Sequence, residues 1–430
     1  MRLPLECVVA ATIVLFLRIP LVAALQLQIP FFGPALQEQQ HLQLKSIYYR
    51  TPESVVFRNA VGTESTDDPL TLKPVWQRIY RPRDTDKLLQ MHEQGSLMRW
   101  PLLVNNGSFA APSAGGTNIP GTYAWELVPD VTHRPSILSL AIMTNNAYTH
   151  VDKNDTSDWY PLDPSWNVNS SFGWDSDGLR GHVFGNADNS LLVISFKGTS
   201  AGLWTGGPTG EKDKRNDNML FSCCCARISR AWRTVCDCYT GRDYQCDAHC
   251  LEDALLETEL YYDHALEIYK HVSDRYPEAT IWLTGHSLGG ALASLVGQTF
   301  GVPTVTFESP GDRLASRRLH LPHPPGAAGM PIWHFGHTAD PLFVGVCTGP
   351  FSVCWYGGFA METRCHAGKV CVWDTVNDKG WRVDIRSHQV QDVIENILKK
   401  PEEFPLPECI PESDDCDDCG LWQFTDDRDR

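Results

Sequence analysis

Clustered positive charge is what this 430-residue sequence has least of. It carries 36 Lys and Arg against 52 Asp and Glu, which gives a formal net charge of −16. Binding to nucleic-acid phosphates, or to anionic membranes through a polybasic segment, requires grouped Lys and Arg side chains. No stretch supplies such a group, so both modes of binding are excluded. Internal repeats are also absent, and a composition of 42% hydrophobic and 20% charged residues describes a globular protein.

Long apolar runs are scarce as well. Residues Cys7 to Leu25 are mostly apolar, but Arg18 and Pro20 interrupt them. Two interpretations stay open. Cys7 to Leu17 has the length of a signal-peptide core, and Val22 to Ala24 would serve as its cleavage site. The whole segment is also just long enough to span a bilayer as an uncleaved anchor, which makes residues 1–25 a signal-anchor segment. Both interpretations deliver the rest of the chain to a lumen.

Cysteines are numerous and point to the same compartment. Apart from one in the N-terminal apolar segment, the other fourteen fall into three groups, Cys223 to Cys250, Cys347 to Cys371 and Cys409 to Cys419. Glycosylation sequons begin at Asn106, Asn154 and Asn169. Disulfides form and persist in an oxidising secretory lumen. We therefore predict a disulfide-bonded lumenal glycoprotein, and the Cys236-x-Cys238 spacing favours disulfides over a zinc site.

The segment Gly285 to Gly289 contains a G-x-S-x-G pattern in an informative context. Ala279 to Thr284 is short, apolar and rich in β-forming residues, and Ala291 to Val296 favours a helix. Strand, sharp turn and helix together are the setting of a nucleophile elbow, whereas the bare pattern would equally fit a chance glycine-rich turn. This context predicts that Ser287 is a nucleophile, with glycines on either side to permit the tight reversal.

The remaining pattern predicts strands that alternate with helices. Strands are expected at Leu191 to Phe196, Thr304 to Phe307, Ile332 to Phe335 and Trp381 to Ile385, and helices around residues 137–147, 255–272 and 390–398. Such alternation predicts an α/β fold of the α/β-hydrolase type, a mostly parallel sheet wrapped by helices. The domain organisation follows as a signal-anchor segment at 1–25, a lumenal N-terminal region at 26–129, a hydrolase-like domain at 130–400 with a Cys-rich lid-side insertion at 201–250, and an acidic Cys-containing tail at 401–430.

A serine nucleophile needs a base, and the base needs an acid that holds its tautomer. In α/β-hydrolases the chain order is Ser, then Asp or Glu, then His, and Asp340 and His388 satisfy it. Rival acids and bases downstream of the elbow are Asp312, Asp374, Asp378, Asp384, His334, His337 and His366. We expect oxyanion contacts from the amide of Leu288 and from Thr199, which follows a strand. Leu203 to Arg215 is expected to form a mobile flap. No metal or organic cofactor is required.

Several stretches resemble one family closely. They are Gly178 to Phe184, Lys197 to Ser200, Asn216 to Arg227, Gly285 to Ala293, His334 to Pro341 and Val376 to Val383. From about residue 45 to the C-terminal cysteines the chain is similar to the class 3 triacylglycerol lipases, and among them to the fungal autophagy-related lipases of the vacuole. The triple-cysteine stretch makes this likeness more specific than the elbow alone.

This resemblance implies a triacylglycerol lipase and phospholipase with Ser287, Asp340 and His388 as catalytic residues. It further implies a single-pass type II glycoprotein carried through ER, Golgi and multivesicular bodies to the vacuole, where it lyses autophagic bodies and vesicles. Lipids and vesicle membranes are then its partners, with no protein partner inferable. Two alternatives remain from the residues alone. One is an esterase of soluble esters or an acyltransferase, and the other is a non-enzymatic adhesion or scaffold protein on a hydrolase fold.

Overall fold

Ten strands of the described chain form one sheet that is parallel at its centre and antiparallel at both edges. The computed structural model describes residues 40–50, 55–59, 70–82, 85, 121–149, 159–160, 178–186, 188–199, 209–227, 234–241, 243–257, 259–324, 326–348 and 352–425. The strands are β1 (Gln40–Arg50), β2 (Val55–Asn59), β3 (Leu70–Leu72), β4 (Pro74–Pro82), β5 (Gly121–Pro129), β6 (Gly181–Asn186), β7 (Leu191–Phe196), β8 (Gln245–Asp247), β9 (Thr280–His286), β10 (Thr304–Phe307), β11 (Ile332–His337), β12 (Lys369–Trp373), β13 (Cys409–Pro411) and β14 (Gln423–Thr425).

The prediction of a mostly parallel sheet is correct for the centre and wrong for the edges. The order is β13-β12-β11-β10-β9-β7-β6-β1-β2, with β3 also paired to β1. The five strands from β12 to β7 run parallel. Strands β6, β1, β2, β3 and β13 add antiparallel pairs, so the sheet is mixed. The short turn between β6 and β7 permits only antiparallel pairing, because a parallel pair needs a long crossover.

Four of the five predicted strands are confirmed, and one is wrong. β7 and β10 lie where the short apolar runs placed them, whereas β9 and β11 each end two residues later than expected. Trp381 to Ile385 forms no strand; the last parallel strand is β12, whose first three residues pair with the edge strand β13. The physical reason is pairing, since a β-forming segment becomes a strand only where a neighbour offers backbone partners.

Helices cover the sheet largely as predicted. They are α1 (Arg134–Asn146), α2 (Gly210–Leu220), α3 (Ala248–Glu257), α4 (Tyr261–Arg275), α5 (Leu288–Phe300), α6 (Arg313–Arg318), α7 (Val353–Gly357), α8 (Thr375–Lys379) and α9 (Val390–Asp392), the last continuing as a π-helical segment, Val393–Leu398. Where one helix was expected over residues 255–272, α3 and α4 are separate. The charged half of the expected flap, Glu211 to Arg215, forms the start of α2 and buries Asp213.

Seven disulfides pair the fourteen cysteines that follow the N-terminal apolar segment. The pairs are Cys223–Cys419, Cys224–Cys246, Cys225–Cys236, Cys238–Cys250, Cys347–Cys354, Cys365–Cys416 and Cys371–Cys409. Although Cys416 and Cys419 have C-x-x-C spacing, they do not pair with each other. Each joins the acidic tail to a different part of the main fold.

Some predictions fall outside the described residues. They concern the signal-anchor segment at 1–25, the sequons at Asn106, Asn154 and Asn169, and the first part of the expected flap. Among the helices that the structure describes, none is long and apolar enough to cross a membrane.

Candidate active site

Ser287 lies in a strained turn between β9 and α5. Its φ of 57° and ψ of −134° are unusual for a residue with a side chain, and such strain is typical of functional turns. Glycine is required on either side of Ser287, because neighbouring backbone atoms leave no room for a Cβ. A Cβ on Gly285 would lie 2.4 Å from the Gly289 carbonyl carbon, and a Cβ on Gly289 would lie 2.3 Å from the Phe196 carbonyl oxygen. The strand, turn and helix predicted around Ser287 are therefore confirmed.

The structure brings Ser287, His388 and Asp340 into one chain of contacts. His388 Nε2 is 2.9 Å from Ser287 Oγ, and His388 Nδ1 is 2.8 Å from Asp340 Oδ2. With Nδ1 protonated, the imidazole donates to the carboxylate and accepts from the serine hydroxyl. The Asp340 side chain is fully buried, and its other oxygen accepts the Leu342 amide at 2.9 Å. This arrangement can deprotonate the serine hydroxyl and stabilise the imidazolium that results.

Two opposing effects set the pKa of His388. Burial disfavours the charged imidazolium and lowers the pKa. The Asp340 carboxylate, by its charge and its hydrogen bond, raises it, as do the charges of Glu308 and Asp217. The net result is a pKa above the ordinary value of 6.5. His388 therefore binds a proton more readily than an isolated histidine.

The rival acids and bases have other contacts. His334 Nδ1 contacts Thr306 Oγ1 at 2.8 Å and its Nε2 contacts the Ala367 carbonyl at 2.7 Å, while His366 Nε2 lies 3.0 Å from the Ser309 carbonyl. Among the rival acids, Asp312 accepts the Ala367 amide, Asp374 caps α8, and Asp384 pairs with Arg386. Asp378 lies exposed within α8, and His337 contacts Glu308.

The turn after β7 approaches the elbow and carries the expected oxyanion residue Thr199. A Cβ on the preceding Gly198 would lie 3.0 Å from Ser287 Cβ, so the two turns are neighbours. The Thr199 hydroxyl donates to Asp217 Oδ2 at 2.7 Å, and this bond anchors the turn whose backbone amide is the expected oxyanion donor. Leu288, the first residue of α5, offers a second amide, because the first amides of a helix have no partner within it.

Two buried charged residues near this turn were not predicted. Asp217 is 2% exposed, and burial raises its pKa to about 7. Lys197 donates to the Gly198 carbonyl at 2.9 Å, and burial lowers its pKa to about 8. Both belong to stretches that carry the family resemblance, which was the available signal in the sequence. Their role is visible only once α2 is packed against the turn.

Among the residues that the structure describes, two groups of side chains have the composition of a metal site. Cys225, Cys236 and Cys238 lie close together, but each is bonded in a disulfide, so no thiolate is available. His286, Glu308 and His388 place one potential ligand atom each within 4.8 Å of one another. Both ring nitrogens of His388 already contact Ser287 and Asp340. Neither group therefore fits a metal ion without losing contacts that it now makes.

The site combines a strand, a strained serine turn and a helix with a histidine and an aspartate from later loops, all at the same edge of the parallel strands. This arrangement defines the α/β-hydrolase class. The comparisons with known proteins agree. The family model described as "Phospholipase-like: Tle-like phospholipase domain" matches residues 141–320. Relatives named "Putative lipase ATG15" from Vanderwaltozyma polyspora and Saccharomyces cerevisiae are 52% identical over 305 residues and 51% identical over 310 residues. These identities confirm the predicted resemblance: the chain is a relative of the fungal autophagy-related lipases.

The alignments cover 69% and 70% of this chain but 53% and 58% of those relatives, so the chain spans little more than half their length. Solved structures with similarity include the Lip2 lipase of Yarrowia lipolytica, at 16% identity and a TM-score of 0.28 over 55% of this chain and 76% of that one. The native Rhizomucor miehei lipase propeptide complex has 14% identity and a TM-score of 0.29 over 55% and 67%.

Proposed function

We propose that this protein is a lumenal serine lipase that hydrolyses the acyl esters of triacylglycerols and membrane phospholipids. The observation that carries the proposal is the pair of contacts, 2.9 Å and 2.8 Å, that link Ser287 to His388 and His388 to Asp340. The vacuole is the proposed site of action, where the membranes of autophagic bodies and multivesicular-body vesicles supply the esters. The names of the fungal relatives support a lipase over other hydrolases of this fold.

The reaction follows from the positions of the three side chains. Ser287 Oγ attacks the ester carbonyl while His388 Nε2 takes its proton, and Asp340 stabilises the imidazolium. The amides of Leu288 and Thr199 donate hydrogen bonds to the oxyanion. His388 then protonates the departing alcohol. Water, deprotonated by the same imidazole, releases the fatty acid from the acyl-enzyme.

Exposed apolar side chains on the segments around the site support a lipid substrate. Val346 is 53% exposed and Tyr356 is 62% exposed, and both lie on the segment that follows Asp340. The disulfide Cys347–Cys354 closes this segment into a loop. Val383, 49% exposed, precedes His388. Exposed apolar groups on the segments that follow the proposed acid and precede the proposed base suit an enzyme that works against a lipid surface.

Labelling and turnover of the full-length protein test this proposal. The parent should react with a fluorophosphonate probe at Ser287 and release fatty acid from triacylglycerol emulsions and phosphatidylcholine vesicles. Ser287→Ala should abolish both while the protein still folds and is secreted. Full turnover in that variant would refute the mechanism. Absence of labelling in the parent would instead favour a scaffold protein on a hydrolase fold.

A second measurement separates a lipase from an esterase. One ester of intermediate chain length is assayed below and above its solubility limit. A lipase should gain activity when an interface forms, and an esterase of soluble substrates should follow saturation through the limit without a step. Transfer of the acyl group to an added alcohol, in preference to water, would indicate an acyltransferase.

A further inference from the structure

Glu308 is a buried carboxylate in a strained backbone position beneath the Ser287, His388 and Asp340 contacts. It follows the last residue of β10, and its side chain is 0% exposed. Its φ is +47°, in the left-handed region where a residue with a side chain is sterically disfavoured. Glycine would adopt this conformation without cost. A strained, buried, charged residue persists only where its surroundings hold it, and such residues concentrate at functional sites.

The contacts of Glu308 reach all three segments that carry the proposed catalytic residues. Its backbone is joined to the elbow, because the preceding Phe307 carbonyl accepts the Ser287 amide at 3.2 Å. Its Oε2 lies 3.8 Å from Nε2 of His286, the residue before Ser287. Its Oε1 lies 2.7 Å from Nε2 of His337, whose carbonyl accepts the Asp340 amide at 3.1 Å.

His337 extends this connection to the third segment. The ring of His337 interacts with the backbone of Ser387, the residue before His388, and it meets the edge of Trp381 with centroids 5.3 Å apart. The rings of His286 and His388 are also neighbours, with centroids 4.7 Å apart. One carboxylate therefore connects the nucleophile turn, the acid turn and the base loop through two imidazoles.

Charge reinforces this geometry. Burial alone would raise the pKa of Glu308, but the charge of His337 and the close approach of the His286 and His337 rings lower it well below its ordinary value. The pKa of His337 is raised because Glu308 and Asp340 outweigh the effect of burial. Glu308 also raises the pKa of His388, with Asp340 and Asp217 acting in the same direction. Other ionisable groups that face this cluster include Asp392, after His388, and Tyr148, whose hydroxyl lies 2.8 Å from His286 Nδ1.

We propose that Glu308 is a positioning residue for the hydrolytic reaction, a second buried carboxylate that holds the three catalytic segments together and stabilises the imidazolium of His388. This proposal rests on the proposed function. It does not require Glu308 to touch the substrate.

The test compares Glu308→Gln with the full-length parent on a soluble short-chain ester. Glutamine keeps the size of the side chain and removes its charge. We expect kcat to fall at least about tenfold with KM changed little, because misplaced catalytic groups slow the reaction more than they weaken binding. The acidic limb of the kcat/KM profile should move to lower pH, because His388 loses a nearby anion. Parental kcat and an unmoved acidic limb in Glu308→Gln would overturn the proposal.

Glu252 provides the matched control. It is 1% exposed, lies on α3, and its Oε2 is 3.3 Å from His320 Nε2, so it forms a second buried Glu–His pair outside the proposed catalytic segments. Glu252→Gln should lower thermal stability without changing the pH profile. If it reproduces both kinetic changes, the effect of Glu308→Gln is a general consequence of losing a buried ion pair, and the proposal fails.

Two further variants keep the test decisive if Glu308→Gln does not fold. Glu308→Asp retains the charge and should keep the acidic limb near that of the parent while kcat falls. Glu308→Gly removes the carboxylate and also the backbone strain, because glycine adopts a φ of +47° without steric cost. Parental kinetics in that variant would therefore also overturn the proposal. Fluorophosphonate labelling of the parent distinguishes the two levels of inference. An unlabelled parent refutes the proposed function, whereas a labelled parent with fully active Glu308 variants refutes only the positioning role.

Discussion

Replacement of Asp340 by Asn is the most informative single perturbation of the candidate active site. The change preserves shape but removes the negative charge that lies 2.8 Å from His388 Nδ1. An asparagine amide can also donate to Nδ1, which would leave the proton on Nε2 and take away the lone pair that faces Ser287. Both consequences disable His388 as a base, although the fold retains the side-chain volume.

The expected magnitude follows from the distance. Two unit charges whose centres are about 4 Å apart attract by about 4 kcal/mol at an effective dielectric constant of about 20, which corresponds to a rate factor of about 10³. The wrong tautomer adds to this loss. We therefore expect kcat/KM to fall about 10³- to 10⁴-fold. Fluorophosphonate labelling of Ser287 should slow in parallel, because it uses the same base.

The pH profile gives an independent readout. Since the pKa of His388 is raised above 6.5, the neutral base is lost as pH falls through that raised value, and kcat/KM should fall on an acidic limb above pH 6.5. Asp340→Asn removes an anion that raises this pKa, so the limb should move to lower pH. Activity within tenfold of the parent, together with an unmoved acidic limb, would refute the assignment of Asp340.

Asp374→Asn is the matched control for this experiment. Asp374 accepts the Asn377 amide at 3.1 Å and caps α8, so its replacement should lower stability only slightly and leave kcat/KM unchanged. If the two variants lose activity equally, the distinction between Asp340 and its rivals fails.

Three further predictions concern the elbow, the oxyanion turn and the sheet edge. Thr199→Val removes the hydroxyl that anchors the turn and should lower kcat about 10- to 100-fold, measured on a soluble ester, whereas Thr199→Ser should retain most activity. Gly289→Ala places a Cβ 2.3 Å from a carbonyl oxygen of β7, so we expect a loss of about 1–3 kcal/mol in urea unfolding and of most activity; parental stability would contradict the tight elbow. Paired replacement of Cys371 and Cys409 by Ala should lower the free energy of unfolding by about 2–4 kcal/mol, and an unchanged unfolding midpoint would show that β13 does not depend on the disulfide.

Local sequence patterns were sufficient to predict the central parallel strands and the turn that carries Ser287. Short apolar runs predicted β7, β9 and β10 because buried parallel strands are apolar on both faces. Gly285 and Gly289 predicted the elbow because only glycine tolerates the approach of neighbouring backbone there. Chain order then favoured Asp340 and His388 as partners of Ser287, with rival acids and histidines left open. In each case the signal lies within a few residues, or in the order of segments along the chain.

Tertiary structure decided what depends on distances between remote residues. Cysteine spacing does not specify pairing, so Cys416 and Cys419 join different partners only in the folded chain. Trp381 to Ile385 has strand-like composition, yet no neighbouring strand pairs with it. Asp217 and Glu308 looked like ordinary acids in the sequence. Their burial beside Thr199 and His337 exists only after α2 and the sheet are packed, because desolvation and charge act through space and not along the chain.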